Sequence, residues 1–292
     1  DKIIDAAWRN GEPGVLFPDA ANKTNPIPKL GRLEATNPCG EQWLHDGDVC
    51  NLGSINLAKF VKEGKVDEER LKKVTELSVQ LLDNVIDLSD FPVEKVNSTF
   101  RNNRRIGLGI MGFADLLYQL RIPYNSQEGF DTARKVMKLI NETADQYSTK
   151  LGAEKGKFPN WELSIFNEEG QNTTRRNSAL TTVAPTGSIS MLLDCSSGVE
   201  PFFALAYYKE VMSGQKLIYV NSFLENELKR LNLYKDEIIE EIQRTGTLQH
   251  INEIPEETRR VYVTAMDISA EDHISMQSAF QEHVDNSISK TI

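Results

Sequence analysis

Apolar residues recur at three- and four-residue spacing in two long windows, and each window predicts a helix. In the first, from about 67 to 90, Leu71, Val74, Leu77, Leu81, Val85 and Leu88 form the expected inner stripe. Asp67, Glu68 and Glu69 supply the acidic first turn that a helix dipole favours, and Pro92 stops the helix. In the second, from about 127 to 151, Phe130, Ala133, Met137, Ile140, Ala144 and Tyr147 face inward, with Gly152 as the expected C-terminal stop. Ile3, Ile4, Ala7 and Trp8 predict a helix end over residues 1–9, broken by Gly11, Pro13 and Gly14. Short apolar runs predict strands: a buried one at Val15-Leu16-Phe17, another from Ala179 to Ala184, and a core strand from Phe202 to Tyr208. Residues 18–35 read as a loop, and 153–179 as irregular chain anchored by Trp161 and Phe166. Residues 221–260 are charge-rich and helical, with Phe223, Leu224, Leu228 and Leu231 inward, which predicts a solvated peripheral insertion. No internal repeat or low-complexity linker interrupts residues 1–292, which are read as one domain.

Composition narrows the classes. A chain of 292 residues, 39% hydrophobic and 26% charged, is ordinary globular protein. A net charge of −10 argues against a nucleic-acid groove. Arg101, Arg104 and Arg105 form the densest basic cluster and read as a solvated turn before a helix. Three cysteines make no disulfide framework and suit a reducing, cytoplasmic setting. No apolar run approaches the roughly 20 residues of a membrane span. The chain starts at Asp1 and stops at Ile292 in a way that reads as a piece of a longer polypeptide.

Gly107, Gly109 and Gly112 match a dinucleotide-binding fingerprint, but Arg104 and Arg105 precede them where a hydrophobic strand is needed. Close packing where a helix enters a crowded core is the expectation here. His45 reads as an exposed loop histidine, and His273 and His283 as structural, since no pair has metal-helix spacing. Cys195 reads as a buried structural cysteine with no neighbour to lower its pKa.

The stretch Asn37-Pro38-Cys39-Gly40-Glu41 carries the chemistry. Read as extended chain, it points an amide, a thiol and a carboxylate at one target. A thiolate nucleophile would need a base or a cation, and Glu41 acts the other way. Hydrogen-atom chemistry needs no thiolate. A second thiol, Cys50, opens Cys-Asn-Leu-Gly-Ser-Ile-Asn-Leu. Pro185-Thr186-Gly187-Ser188-Ile189 follows the predicted strand at 179–184 and precedes an apolar helix start. Such a turn suits either phosphate binding or plain N-capping by Ser or Thr.

Together, Asn-Pro-Cys-Gly-Glu, the Cys50 motif and Ala-Pro-Thr-Gly-Ser-Ile-Ser resemble the catalytic subunit of ribonucleotide reductase, in its adenosylcobalamin-dependent class. The resemblance implies an α/β fold, the C-terminal part of a ten-stranded α/β barrel, with Cys39 on a central finger loop. It implies that Cys39 carries a thiyl radical that abstracts the ribose 3′ hydrogen, and that Glu41 accepts the 3′-OH proton. Asn37 would bind the sugar hydroxyls, Cys50 would be half of the reducing dithiol, and Pro185 to Ile189 would hold the phosphates of a ribonucleoside diphosphate or triphosphate. Pro38 and Gly40 would line the substrate. It further implies adenosylcobalamin as cofactor, nucleotide effectors (ATP and deoxynucleotides), a thioredoxin- or glutaredoxin-type reductant, a homodimer, and complementary N- and C-terminal parts of the same enzyme, including the second redox cysteine. On that basis the isolated piece is expected not to turn over. Two alternatives stand beside it: a class drawing its radical from a separate metal-containing subunit, which needs a tyrosine relay that no residue here supplies, and an inactive barrel piece that only associates with its missing half. The glycyl-radical class is disfavoured because Glu41 stands where that class leaves room for formate.

Overall fold

A computed structural model describes residues 1–168, 173–210 and 216–292. The chain opens with α1 (Lys2–Asn10) and α2 (Pro18–Asn22), followed by the two-residue strands β1 (Ala35–Thr36) and β2 (Trp43–Leu44), which pair antiparallel. Then come β3 (Asn51–Asn56), a small hairpin of β4 (Val61–Lys62) and β5 (Lys65–Val66), α3 (Glu68–Leu88), α4 (Glu94–Asn103), β6 (Ile106–Met111), α5 (Phe113–Leu120) and α6 (Gln127–Lys155). The second half holds α7 (Gly187–Leu192), the hairpin β7 (Ala206–Glu210) and β8 (Lys216–Val220), α8 (Ser222–Arg230), α9 (Asp236–Thr245), α10 (Glu256–Val261) and α11 (Ala270–Gln281).

The organising surface is parallel. β3 pairs with β6 from Asn51↔Ile106 to Asn56↔Met111. Extended chain at 179–183 lies along the other side of β6, through Ile106 N to Ala179 O (3.0 Å), Leu108 N to Leu180 O (2.7 Å) and Thr182 N to Leu108 O (3.1 Å). Val183 in turn forms a parallel bridge with Ile288. Four parallel segments joined by helical crossovers are the α/β architecture the sequence leads one to expect. All six residues of β6 are buried, as a strand covered on both faces must be. Leu71, Val79, Leu82 and Ile86 of α3 and Ala133, Met137, Ile140 and Ala144 of α6 join it in the main core.

Several expectations change. The buried side of α3 is Leu71, Thr75, Val79, Leu82, Asp83 and Ile86, while Leu77, Leu81 and Leu88 are exposed. A leucine-rich helix offers more than one stripe, and contact with β3 and α6 selects among them. The glycine-rich segment is a strand interior and not a helix entry: a Cβ on Gly109 would lie 2.2 Å from Thr182 O, and one on Gly107 2.8 Å from Gln42 Nε2. Gly152 does not stop α6, because the helix runs on to Lys155; it is bare where Thr174 O crosses at what would be 1.4 Å from a Cβ. Val15, Leu16 and Phe17 are exposed coil, and the apolar face of α1 is likewise uncovered. The loop at 18–35 contains α2. Trp161 and Phe166 do anchor the irregular stretch, packed with Ile27 and Phe158; residues 169–172 of that stretch lie outside the described residues. Leu205 and Ala206 are buried with Phe202 packed nearby, but Phe203 and Tyr208 are exposed, so the expected core strand is buried only in part and continues as one arm of a hairpin. The charged segment beyond it is peripheral but not merely solvated. Leu224, Leu228, Ile238, Ile242, Leu248 and Ile254 close a second core with Tyr118 and Tyr262. Among the described residues, no helix is long and apolar enough to cross a membrane.

Candidate functional site

Asn37 to Gly40 form a β-turn, closed by Gly40 N donating to Asn37 O at 3.1 Å, with Gly40 at φ +81°. The extended reading of this stretch is therefore corrected. Asn at the first position, Pro at the second and Gly at the fourth is a turn signature in its own right, and it was legible. Asn37 Oδ1 accepts from Gln42 N at 3.1 Å, which locks the hairpin from inside. The consequence for the three side chains is large. Cys39 is exposed at the tip, whereas Glu41 is 1% exposed, so thiol and acid do not line up along one strand face.

The hairpin base is tied to the sheet. Glu41 O accepts from Thr182 Oγ1 (2.8 Å) and from Ser287 N (2.9 Å). Gln42 lies over the bare backbone of Gly107, which explains that glycine. Glu41 Oε2 is buried without a hydrogen-bond partner. Thr182 is three residues upstream of Pro185, so the Pro185 turn begins within about 11 Å of the segment that holds Glu41.

That turn is strained and braced. Thr186 sits at φ +53°, where a β-branched residue is a true outlier. It is the N-cap of α7, yet its hydroxyl does not cap the helix; Oγ1 accepts from Gly198 N at 2.8 Å instead. Ser190 and Ser197 hydroxyls meet at 2.7 Å. Ser196 N donates to Asp115 Oδ2 at 2.7 Å, and Gly112 N to Ser196 O at 2.7 Å. Burial raises the Asp115 carboxyl pKa against those hydrogen bonds. Pro185 is half-buried, Thr186 buried, and Gly187, Ser188 and Ile189 exposed.

Cys50 immediately precedes β3, half-buried, with Sγ 3.5 Å from Asn51 O. Burial pushes its thiol far up, Arg105 opposes this, and the charges of Asp48 and Glu41 add to it. Glu41 and Cys50 therefore belong to one electrostatic neighbourhood. Cys195, expected to be buried, has intermediate exposure, and desolvation with Asp115 and Asp194 lifts its pKa to about 11.

Three residues read as solvent-facing turn out to be buried. His45 is 6% exposed, with Nδ1 3.8 Å from Asp48 Oδ2. Arg105 is 0% exposed and donates to Asp48 Oδ2 (3.2 Å) and to Asn286 Oδ1 (3.1 Å). Asn103 Nδ2 donates to the same Asp48 oxygen at 2.9 Å. Burial would raise Asp48, but Arg105 and these donors hold its carboxyl below the ordinary range. Arg104 is also buried, paired with Asp83 and Asp87, so two of the three arginines of the basic cluster are structural, while Arg101 is exposed as expected. An arginine placed directly before an apolar strand was the available signal.

A cleft of about 830 Å³ runs between Val15–Phe17, Phe166, Arg175 and residues 284–288. Of the predicted site residues it touches Gly40 alone, so it is not a ready-made pocket uniting them.

The parallel segments, the cysteine hairpin laid on them and the braced turn beyond Thr182 make an α/β layer of the kind from which a larger barrel is built. The sequence matches the family described as ribonucleotide reductase, barrel domain, over residues 1–171 and 166–292, and the chain belongs to that family. It is 45% identical to the vitamin B12-dependent ribonucleoside-diphosphate reductase of Thermoplasma acidophilum, over 100% of this chain and 38% of that protein. A Mycobacterium tuberculosis protein of the same description is 41% identical over 100% of this chain and 42% of its own length. The fold matches the Actinobacillus ureae class Id ribonucleotide reductase alpha subunit with a TM-score of 0.81 and 26% identity, covering 98% of this chain and 53% of that one. The chain thus spans about two-fifths of the length of these curated relatives.

Proposed function

We propose that this chain carries the catalytic cysteine of a ribonucleotide reductase that acts on ribonucleoside diphosphates by thiyl-radical chemistry. What supports it most is the tethering of the Cys39 hairpin, through Glu41 O, to Thr182 and Ser287, on the segment that leads into the Pro185 turn. The relatives named as vitamin B12-dependent favour adenosylcobalamin over a separate metal-containing subunit.

The residues fit such a cofactor in one respect. The Cys39 thiol is exposed at a hairpin tip, open to a radical source approaching from outside. Adenosylcobalamin, when bound, supplies a carbon-centred radical, and Cys39 is the residue that would face it. In this reading the exposed side of Cys39 is closed by other parts of a longer polypeptide, which also bring the second redox cysteine.

The chain's own groups then have distinct tasks. Cys39 removes the 3′ hydrogen of the ribose. Glu41 takes the 3′-OH proton through Oε2, the oxygen with no protein partner. Asn37 keeps Nδ2 for the sugar hydroxyls while its Oδ1 holds the hairpin. Pro38 and Gly40 shape the turn beneath the substrate. Cys50 gives up its hydrogen as half of a dithiol. Pro185, Thr186, Gly187, Ser188 and Ile189 present backbone N–H groups and a hydroxyl to the phosphates. A thioredoxin- or glutaredoxin-type dithiol restores the cysteines, nucleotides regulate the whole enzyme, the complete enzyme is a dimer, and it works in the cytoplasm.

The test is product formation from a ribonucleoside diphosphate with adenosylcobalamin and a dithiol, using the polypeptide joined to its complementary parts. Deoxynucleotide is expected. Turnover that ignores cobalamin but responds to a metal-containing subunit would overturn the cofactor assignment, and turnover by residues 1–292 alone would overturn the need for further parts.

A further inference from the structure

Arg105 is fully buried but incompletely used. Its Nε and Nη1 are taken by Asp48 and Asn286, while Nη2 is buried with no hydrogen-bond partner. A buried donor left unpaired is costly, so it calls for an explanation. The sheet register offers one. Asn51 and Ile106 are the first pair of β3 and β6, so Cys50 and Arg105 each stand one residue ahead of that pair, and the charge of Arg105 acts on Cys50. Asp48, the main partner of Arg105, is two residues ahead of Cys50 and bonds to Val49 N at 2.9 Å. One arginine therefore holds Asp48, two residues ahead of the thiol, acts electrostatically on that sulfur, and keeps an unpaired donor.

We propose that Arg105 is the positioning residue of Cys50, and that its spare Nη2 receives the thiolate that Cys50 becomes when its disulfide is opened. The inference rests on reading Cys50 as a redox thiol. In the step, a reductant thiolate attacks the partner sulfur. A new S–S bond forms there, the old one breaks, and its electron pair leaves on Cys50 Sγ. The negative charge passes from the reductant to Cys50, with no proton moved. A lower leaving-group pKa speeds such an opening, and a facing guanidinium lowers it. The charged groups acting on this sulfur are Arg105 in favour of thiolate and Asp48 and Glu41 against it, with His45 behind Asp48.

The test is iodoacetamide labelling of Cys50 from neutral to alkaline pH, read by peptide mass spectrometry with Cys195 as internal reference. Arg105→Gln should slow Cys50 relative to Cys195 about tenfold and move its profile to higher pH, with Arg105→Lys restoring part of the rate. A folded Arg105→Gln protein with an unchanged ratio overturns the proposal. Should Arg105→Gln not fold, Asp48→Asn carries the test. It removes an opposing charge and frees the guanidinium, and should speed Cys50 about threefold; no change or a slower rate overturns the proposal. Labelling reads the sulfur itself, so the redox reading fails separately, if Cys50→Ser retains full nucleotide reduction.

Discussion

Cys39 and Cys50 lie eleven residues apart and occupy opposite environments. Cys39 is exposed on a hairpin tip, with no charged group bonded to it, while Cys50 is set into the foot of a strand among Arg105, Asp48 and Glu41. The contrast fits two kinds of sulfur chemistry. Loss of a hydrogen atom from S–H develops little charge and needs access more than an electrostatic frame. Disulfide chemistry places a full negative charge on sulfur and needs a counter-cation. The same contrast separates loop from core: the hairpin tip is held by its own turn, the foot of β3 by a buried ion pair.

The largest expected effect is on chemistry at the exposed thiol. Cys39→Ser should abolish nucleotide reduction in the complete enzyme, yet leave stability within about 0.5 kcal/mol of wild type in a urea titration, since the Cys39 side chain is exposed. A large loss of stability would mean the thiol has a structural role. Next comes the second core. Leu228→Ala should cost about 2–5 kcal/mol in the helical unit while the labelling rate of Cys39 stays unchanged. A matching rise in Cys39 labelling would show that the unit supports the hairpin. Gly109→Ala should cost about 1–3 kcal/mol by urea unfolding, because its methyl would strike Thr182 O. Gly187→Ala, with open space around it, should change stability by under about 0.5 kcal/mol.

The smallest effect is acid sensitivity. The Asp48 pKa is lowered in the folded state, so its stabilisation is complete above the ordinary carboxylate value and is lost as pH falls through the folded value. Urea stability should therefore decline below about pH 4. Asp48→Asn should be less stable at neutral pH and show a flatter acid limb; an unchanged limb would remove Asp48 as a contributor.

Both long helices and the cysteine motifs were legible because period and motif spacing are local properties, and the α/β class followed from the family resemblance that those motifs carry. What escaped depended on distant partners. Leu77 and Leu81 look as apolar as Leu71 and Leu82, and only β3 and α6 decide which pair is covered. Gly152 looks like a helix stop until Thr174 is seen to cross it. Arg104, Arg105 and His45 read as solvated because their partners, Asp83, Asn286 and Asp48, are not visible as partners in a linear pattern. The Asn37–Gly40 turn is a different kind of miss. Its residues spelled it out, but the alternation of Asn, Cys and Glu suggested a strand.

The account stands or falls on a sulfur-centred radical at Cys39, and rapid-freeze electron paramagnetic resonance of the complete enzyme with ribonucleoside diphosphate and adenosylcobalamin measures it directly. The account predicts a transient signal whose hyperfine pattern narrows when cysteine is deuterated at Cβ and which vanishes in Cys39→Ser. A signal that ignores the cysteine label, or survives that substitution, would contradict it.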